Sequence, residues 1–208
     1  MWNYEKRLQF PVNIKEPNAA LAQVIMSQYG GPDGEMGASL RYLSQRYAAP
    51  YREVSAILTD IGTEELAHLE MVATIVHQLT KDLSMEEIEA GGFQNYYVDH
   101  TIGVWPQAAG GVPFNACEFQ SKGDIITDLT EDMAAEQKAR STYDNILRLI
   151  HDHDVCEPIR FLRAREIVHF QRFGEALRLV QERLDSKNFY AFNPGFDTTT
   201  GNTTCPCD

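Results

Sequence analysis

Two short motifs in this chain combine residue types that bind transition metals. Each places a glutamate three residues before a histidine, first as Glu65 and His68 and again as Glu166 and His169. Three residues is nearly one helical turn, so both side chains of a motif leave one helix face and can share a metal ion. One such motif is common by chance on amphipathic helices, whereas a repeated motif indicates metal-dependent chemistry.

A larger pattern repeats with the two motifs, offset by 101 residues. An upstream glutamate, Glu35 or Glu136, precedes each motif's glutamate by 30 residues. A tyrosine, Tyr42 or Tyr143, follows each upstream glutamate by seven residues, about two turns along the same helix face. Spacing permits two interpretations of these tyrosines: hydrogen-bond partners of carboxylates at a metal site, or ordinary core residues.

The same spacing indicates which elements must position these residues. The midpoint between the two glutamates of each half falls in a turn-like segment, at Pro50 in the first half and His151 in the second. We expect Pro50 to lie in the first turn of a new helix. Residues equidistant from a tight turn lie at one height on two antiparallel helices, so each half predicts an αα-hairpin. Two packed hairpins put four glutamates and two histidines at one level, which predicts an all-α, ferritin-like four-helix bundle.

Hydrophobic periodicity predicts four long helices, at about residues 18–46, 50–80, 124–151 and 154–184, the last capped by Asp154. Glycines and a proline at 30–32 interrupt or kink the first helix and let another backbone come close. A capping box at Ser84 predicts a short helix. A long crossover at about 91–123 fits a second and third helix that run parallel. The chain divides into a bundle domain at 1–184, beginning with an extended arm, and an irregular tail at 185–208.

The environment of the first motif also argues for a metal. Glu65 and His68 fall within the apolar face of the second helix, where an unpaired ionised carboxylate is costly. We expect the preceding Glu64 to face solvent. Arg165 is also expected at the surface by default, although pairing with a carboxylate stays open.

Length, charge and cysteines limit the classes of function. With 208 residues and a net charge of −12, the chain predicts one soluble domain without the basic surface that nucleic acid requires. No segment approaches the roughly 18 apolar residues of a membrane span, and the N-terminus does not resemble a secretory signal. A cytoplasmic protein is therefore expected. Cys205 and Cys207 lie in the polar tail, as part of a mobile end or in a thiol role.

The predicted ligand set of carboxylates and imidazoles suits manganese or iron and lacks the thiolates that favour zinc or copper. A close metal pair can exchange two electrons with one small substrate, so peroxide or dioxygen chemistry fits this set better than hydrolysis. The ligands alone permit both metals.

Segments around these residues resemble the manganese catalases. They include Gly30 to Glu35, Tyr42 to Gln45, Asp60 to Met71 with its Thr-Glu-Glu-Leu-Ala-His run, and Phe161 to His169. The likeness covers most of residues 1–184. The short C-terminal tail makes the chain most similar to the family's smaller spore-coat relatives.

The resemblance implies disproportionation of hydrogen peroxide to water and dioxygen by two manganese ions per chain. It further implies a homo-oligomer, a hexamer in the family, and a location in the cytoplasm or in the spore coat with other coat proteins. The implied manganese ligands are Glu35, Glu65, His68, Glu136 and His169. Glu166 is implied as a nearby proton acceptor and Tyr42 as a partner of the ligands.

Two departures from the family pattern affect these expectations. Ala135 stands where some members carry an arginine near the substrate channel, so access and rate are expected to differ. The longer C-terminal extension of classical members is missing, which leaves open whether this chain has the calcium site that such members carry. Two alternatives to a catalase are a di-iron ferritin-like oxidase and a structural spore-coat protein whose metals stabilise the bundle.

Overall fold

The computed structural model of the protein describes residues 5, 7–118 and 120–183. Within these residues the chain forms eight α-helices and one 3₁₀ turn, and no β-strand. The helices are α1 (Ala19–Ile25), α2 (Ser27–Gly30), α3 (Glu35–Gln45), α4 (Arg52–Thr80), α5 (Met85–Ala90), α6 (Gln94–His100), α7 (Ile125–Leu149) and α8 (His153–Arg183). Both predicted hairpins are present, α3 with α4 and α7 with α8.

The long connection between the hairpins is needed because the helices that it joins run parallel, as predicted. Tyr42 of α3 contacts Glu136 of α7 while Glu35 contacts Tyr143, so α3 and α7 are antiparallel. Since α3 and α4 are also antiparallel, α4 and α7 run in the same direction, and a long connection must return the chain. This connection contains α5, which has the predicted capping box at Ser84, and also α6, which periodicity did not predict.

Helix boundaries differ from the predictions by a few residues. Pro50 lies before α4 and outside its first turn, because Arg52 is the first helical residue and Tyr51 its N-cap. α8 begins at His153, where the side chain of Asp152 accepts a hydrogen bond from the backbone of Asp154 at 2.8 Å. The predicted cap at Asp154 is therefore wrong.

The glycine-rich interruption allows close backbone contact, as predicted. α1 ends at Ile25 and α2 at Gly30, and α3 starts only at Glu35. A Cβ on Gly30 would lie 2.3 Å from the backbone nitrogen of Gln107 and 2.4 Å from the carbonyl carbon of Pro106. Glycine thus lets the crossover pack directly on the helix preceding Glu35.

Two apolar clusters fill the bundle, and the predicted site lies between them. Along α4, Val54 to Ile61 belong to one cluster and Met71 to Leu79 to the other, with Glu65 and His68 between. Along α8 the order is reversed, from Val155–Leu162 to Phe173–Val180. The bundle therefore holds the residues of both motifs in a layer with hydrophobic packing on either side. No helix in the described part of the chain is long and apolar enough to span a membrane.

Candidate metal centre

All six predicted glutamates and histidines come together in this buried layer. Each is at most 2% exposed. One long helix of each hairpin carries a Glu-x-x-His motif, and the other helix supplies a single glutamate. The six residues are Glu35 on α3, Glu65 and His68 on α4, Glu136 on α7, and Glu166 and His169 on α8.

Glu65 occupies the middle of the cluster. Its Oε2 lies 2.7 Å from Nδ1 of His68, and its Oε1 lies 2.6 Å from Nδ1 of His169. The two imidazole rings are 5.5 Å apart and nearly parallel, at 20°. Both Nδ1 atoms therefore face one shared carboxylate, as required of a group that bridges two cations.

The other three carboxylates surround this arrangement. Glu35 lies 3.9 Å and Glu166 lies 4.0 Å from Nδ1 of His68, while Glu136 lies 3.6 Å from Nδ1 of His169. These distances are too long for hydrogen bonds and leave space between the ligand atoms. One ligand atom from each of Glu65, His68, Glu166 and His169 lies within 4.8 Å of the other three.

Several of these atoms are fully buried and lack a hydrogen-bond partner. Glu136 Oε2 and Glu166 Oε1 make no hydrogen bond to any residue that the structure describes. Glu65 Oε1 and His169 Nδ1 form an ion pair at 2.6 Å, but neither atom makes a hydrogen bond of normal geometry within the described residues. Buried polar groups are normally satisfied, and buried unpaired charge is strongly unfavourable. A donor set of oxygen and imidazole nitrogen around such atoms fits divalent manganese or iron.

The electrostatics of the cluster are those of a cation site. Burial, followed by repulsion from neighbouring carboxylates, raises the pKa of Glu35 and Glu166 well above the ordinary value. Burial opposes the charged forms of Glu65 and the histidines, but their mutual attraction prevails. It lowers the pKa of Glu65 and raises the pKa of His68 to about 10 and that of His169 to about 12. Without metal, the cluster retains protons that offset its negative charge.

Hydrogen bonds from the two tyrosines connect the hairpins in both directions. Tyr42 of α3 donates its hydroxyl to Glu136 of α7, and Tyr143 of α7 donates to Glu35 of α3. Both phenols are buried, and burial and the adjacent carboxylate raise the pKa of each. They are therefore protonated donors to carboxylates of the buried layer, and both rings also pack in the apolar clusters.

Glu64 is the main residue at the site that sequence reasoning missed, and its predicted exposure to solvent is wrong. Its side chain is 15% exposed and accepts bonds from Arg165 at 2.7 and 3.1 Å and from Gln9 at 2.6 Å. It also accepts from Nε2 of His169 at 3.0 Å. Arg165 takes the alternative left open for it, pairing with a carboxylate. A signal was present in the sequence, because Glu64 and Arg165 occupy equivalent positions of the 101-residue repeat.

Ala135, where the chain departs from the family pattern, is not one of the six clustered residues. Ala135 is buried next to Glu136, so this position presents only a methyl group to its surroundings. Cys205 and Cys207 lie outside the described residues.

Known proteins resemble this chain over most of its length. Residues 1–189 match the family model for manganese containing catalase. Protein CotJC of Bacillus subtilis is 50% identical over 190 residues, which cover 91% of this chain and 100% of that protein. A probable manganese catalase of Clostridium acetobutylicum is 32% identical over 191 residues, covering 91% of this chain and 85% of that protein.

The likeness extends to three dimensions. The crystal structure of KatB, a manganese catalase from Anabaena, matches with a TM-score of 0.80 and 31% identity, covering 90% of this chain and 84% of that one. The predicted helical-bundle fold is thereby confirmed. The predicted similarity to shorter relatives is also confirmed, since CotJC is matched over its full length.

Proposed function

Because this chain belongs to the family of manganese-containing catalases, we propose that it converts two molecules of hydrogen peroxide into two of water and one of dioxygen. The reaction would take place at a pair of manganese ions in the buried layer. The observation that carries this proposal is the position of the Glu65 carboxylate, within 2.7 Å of Nδ1 of both histidines.

We assign the ions to Glu35, Glu65, His68, Glu136 and His169. The first-half pair Glu35 and His68 would hold one ion, the second-half pair Glu136 and His169 the other, and Glu65 would bridge them. The distances support this division, because Nδ1 of each histidine is near the upstream glutamate of its own half. The distance is 3.9 Å from His68 to Glu35 and 3.6 Å from His169 to Glu136. The bound pair would supply two-electron chemistry, and it would neutralise part of the carboxylate charge.

Glu166 is the proposed proton acceptor. It is the repeat equivalent of Glu65, yet it approaches only one histidine within 4.0 Å, which supports a role beside the ions instead of between them. From this position beside the proposed ions, the Glu166 carboxylate could take a proton from peroxide and return it to the departing water. Tyr42 orients Glu136 through its hydroxyl and is proposed to keep that carboxylate in a fixed geometry.

A structural role in the spore coat is a second candidate. The chain is matched over the full length of Protein CotJC, whose name states no catalytic activity. In that case the metals would chiefly stabilise the bundle, and assembly into a homo-oligomer, such as a hexamer, with other coat proteins would be the main function. A location in the cytoplasm or in the spore coat is compatible with both candidates, which are not exclusive. A di-iron oxidase uses the same ligands and is distinguished by its metal.

Elemental analysis and oxygen release from peroxide, measured on one sample of protein grown with added manganese, test these proposals. A catalase contains about two manganese ions per chain and releases oxygen rapidly. Glu65→Ala is expected to abolish both properties, whereas Glu53→Ala, an exposed change on the same helix, is expected to retain them. Two iron ions without peroxide turnover would favour the oxidase. A folded protein that contains manganese and releases no oxygen would favour the structural role.

A further inference from the structure

An ion pair joins the two halves of the repeat at equivalent positions. Glu64 and Arg165 immediately precede the two motif glutamates, and they are 101 residues apart, like the motifs themselves. The guanidinium binds both oxygens of the carboxylate, at 2.7 and 3.1 Å. Where the repeat brings α4 against α8, one half therefore presents an acid and the other a base.

Glu64 lies on the opposite side of the histidine rings from the metal cluster. It accepts a hydrogen bond from Nε2 of His169 at 3.0 Å, and its other oxygen is 3.7 Å from Nε2 of His68. The His68 Nε2 is buried and makes no hydrogen bond to any described residue. Glu64 is thus the carboxylate toward which both rings direct the nitrogen that faces away from the cluster.

The N-terminal arm closes this side of the bundle. Gln9 donates to Glu64 at 2.6 Å, and Phe10 stacks on Phe161 with ring centroids 4.9 Å apart. Further along the arm, Gln78 of α4 accepts from the backbone of Ile14 at 2.7 Å. The arm therefore holds the Glu64 carboxylate in one orientation together with Arg165.

We propose that Glu64 is a positioning residue that orients both histidines, so that each directs Nδ1 into the metal centre. The inference depends on the proposed metal site. A neutral imidazole that donates Nε2–H to a carboxylate must present its lone pair at Nδ1, which fixes both its tautomer and its ring angle when it binds a metal. A single carboxylate serves both rings, and its ion pair with Arg165 keeps it ionised and fixed in place.

The test compares Glu64→Gln with Glu53→Gln. Glu53 also forms a two-contact ion pair between α4 and α8, with Arg183 at 2.8 and 3.1 Å, but it is far along the helix from the histidines. Mn²⁺ affinity is measured on metal-free protein by equilibrium dialysis. We expect Glu64→Gln to weaken binding by roughly 10- to 100-fold, as is typical when the outer partner of a metal-binding histidine is lost. Glu53→Gln is expected to bind like the unaltered chain.

A spectroscopic readout separates positioning from general destabilisation. In protein loaded with Co²⁺, the Nε2–H protons of ligating histidines give shifted proton NMR signals that exchange with solvent. The unaltered chain should show two slowly exchanging signals, and Glu64→Gln should lose or accelerate both. If Glu64→Gln does not fold, Arg165→Gln replaces it. That change keeps the Glu64 carboxylate but removes the ion pair that holds it in place, so we expect a smaller loss of Mn²⁺ affinity.

The outcomes distinguish this inference from the proposed function. Unchanged Mn²⁺ affinity and unchanged Co²⁺ signals in Glu64→Gln would overturn the positioning role, even if the protein is an active catalase. Two protected signals that depend on Glu64, in a protein that releases no oxygen from peroxide, would support the positioning role and overturn the catalase. A chain that takes up neither metal would overturn both.

Discussion

Metal uptake by this centre should release protons, and the affinity should therefore rise steeply with pH. In the metal-free protein the pKa of His68 is raised to about 10 and that of His169 to about 12, so both rings are protonated near neutrality. A metal ion and a proton compete for the same Nδ1 atom. Loading both ions must displace about two histidine protons, together with any proton held by Glu35 and Glu166, whose pKa values are also raised.

The magnitude follows from the number of protons. Each released proton changes the logarithm of the loading constant by about one for each pH unit, which corresponds to roughly 1.4 kcal/mol. Two histidine protons predict a rise of about 100-fold per pH unit for loading both ions. The sign is positive because the raised pKa values favour the protonated, metal-free form at low pH. The dependence should weaken only as the pH approaches the lower histidine pKa of about 10.

Equilibrium dialysis with Mn²⁺ between about pH 6 and pH 8, without oxygen, gives the slope. Calorimetry at one pH in two buffers with different ionisation enthalpies counts the released protons independently. A slope near zero, or release of fewer than about one proton for the two ions, would refute the reasoning, because the histidines would then be neutral in the metal-free centre.

Three further predictions concern stability and are tested by thermal or denaturant unfolding. Removal of bound metal should lower the unfolding temperature, since a ligand that binds only the folded state stabilises it; an unchanged temperature would contradict binding in the buried layer. Gly30→Ala should destabilise the protein because its Cβ would lie 2.3 Å from the backbone of Gln107, whereas Gly110→Ala meets nothing within 4 Å and should have little effect. Equal effects would show that the close packing at Gly30 is unimportant. Phe173→Ala should cost about 3–5 kcal/mol, since the ring is fully buried. A loss of stability below about 1 kcal/mol would mean that neighbouring side chains move in and fill the space left by the ring.

The repeat made the bundle and its six clustered residues predictable from sequence. Glu65 and His68 are polar residues at positions where helical periodicity requires apolar ones, and the same conflict recurs at Glu166 and His169. Such conflicts between polarity and periodicity mark functional sites. The equal sequence distances of the paired glutamates from a turn predicted that these residues lie at one height in the bundle. The hairpins and the crossover follow from the same argument.

The surroundings of the site were less predictable. Periodicity places Glu64 outside the apolar face of its helix and predicts exposure to solvent, but it does not reveal which neighbouring segments cover this residue. Arg165 and Gln9 reach Glu64 from 101 and 55 residues away, and the arm that carries Gln9 has no periodic pattern. The asymmetry between Glu65 and Glu166 likewise depends on how the hairpins dock, since their motifs are equivalent in sequence.

The crossed tyrosines have a consequence for the kinetics of folding. Their hydrogen bonds join residues 94 and 108 positions apart, so neither hairpin can complete its own carboxylate environment. Local helix formation within a hairpin is fast, whereas contacts between such distant segments require closure of a long loop. Each hairpin should therefore form early as an incomplete half, and the docking that brings Tyr42 to Glu136 should be the slow step. A metal ion that arrives before docking meets only half of a ligand set, so stable capture of the pair would mark the final stage of folding.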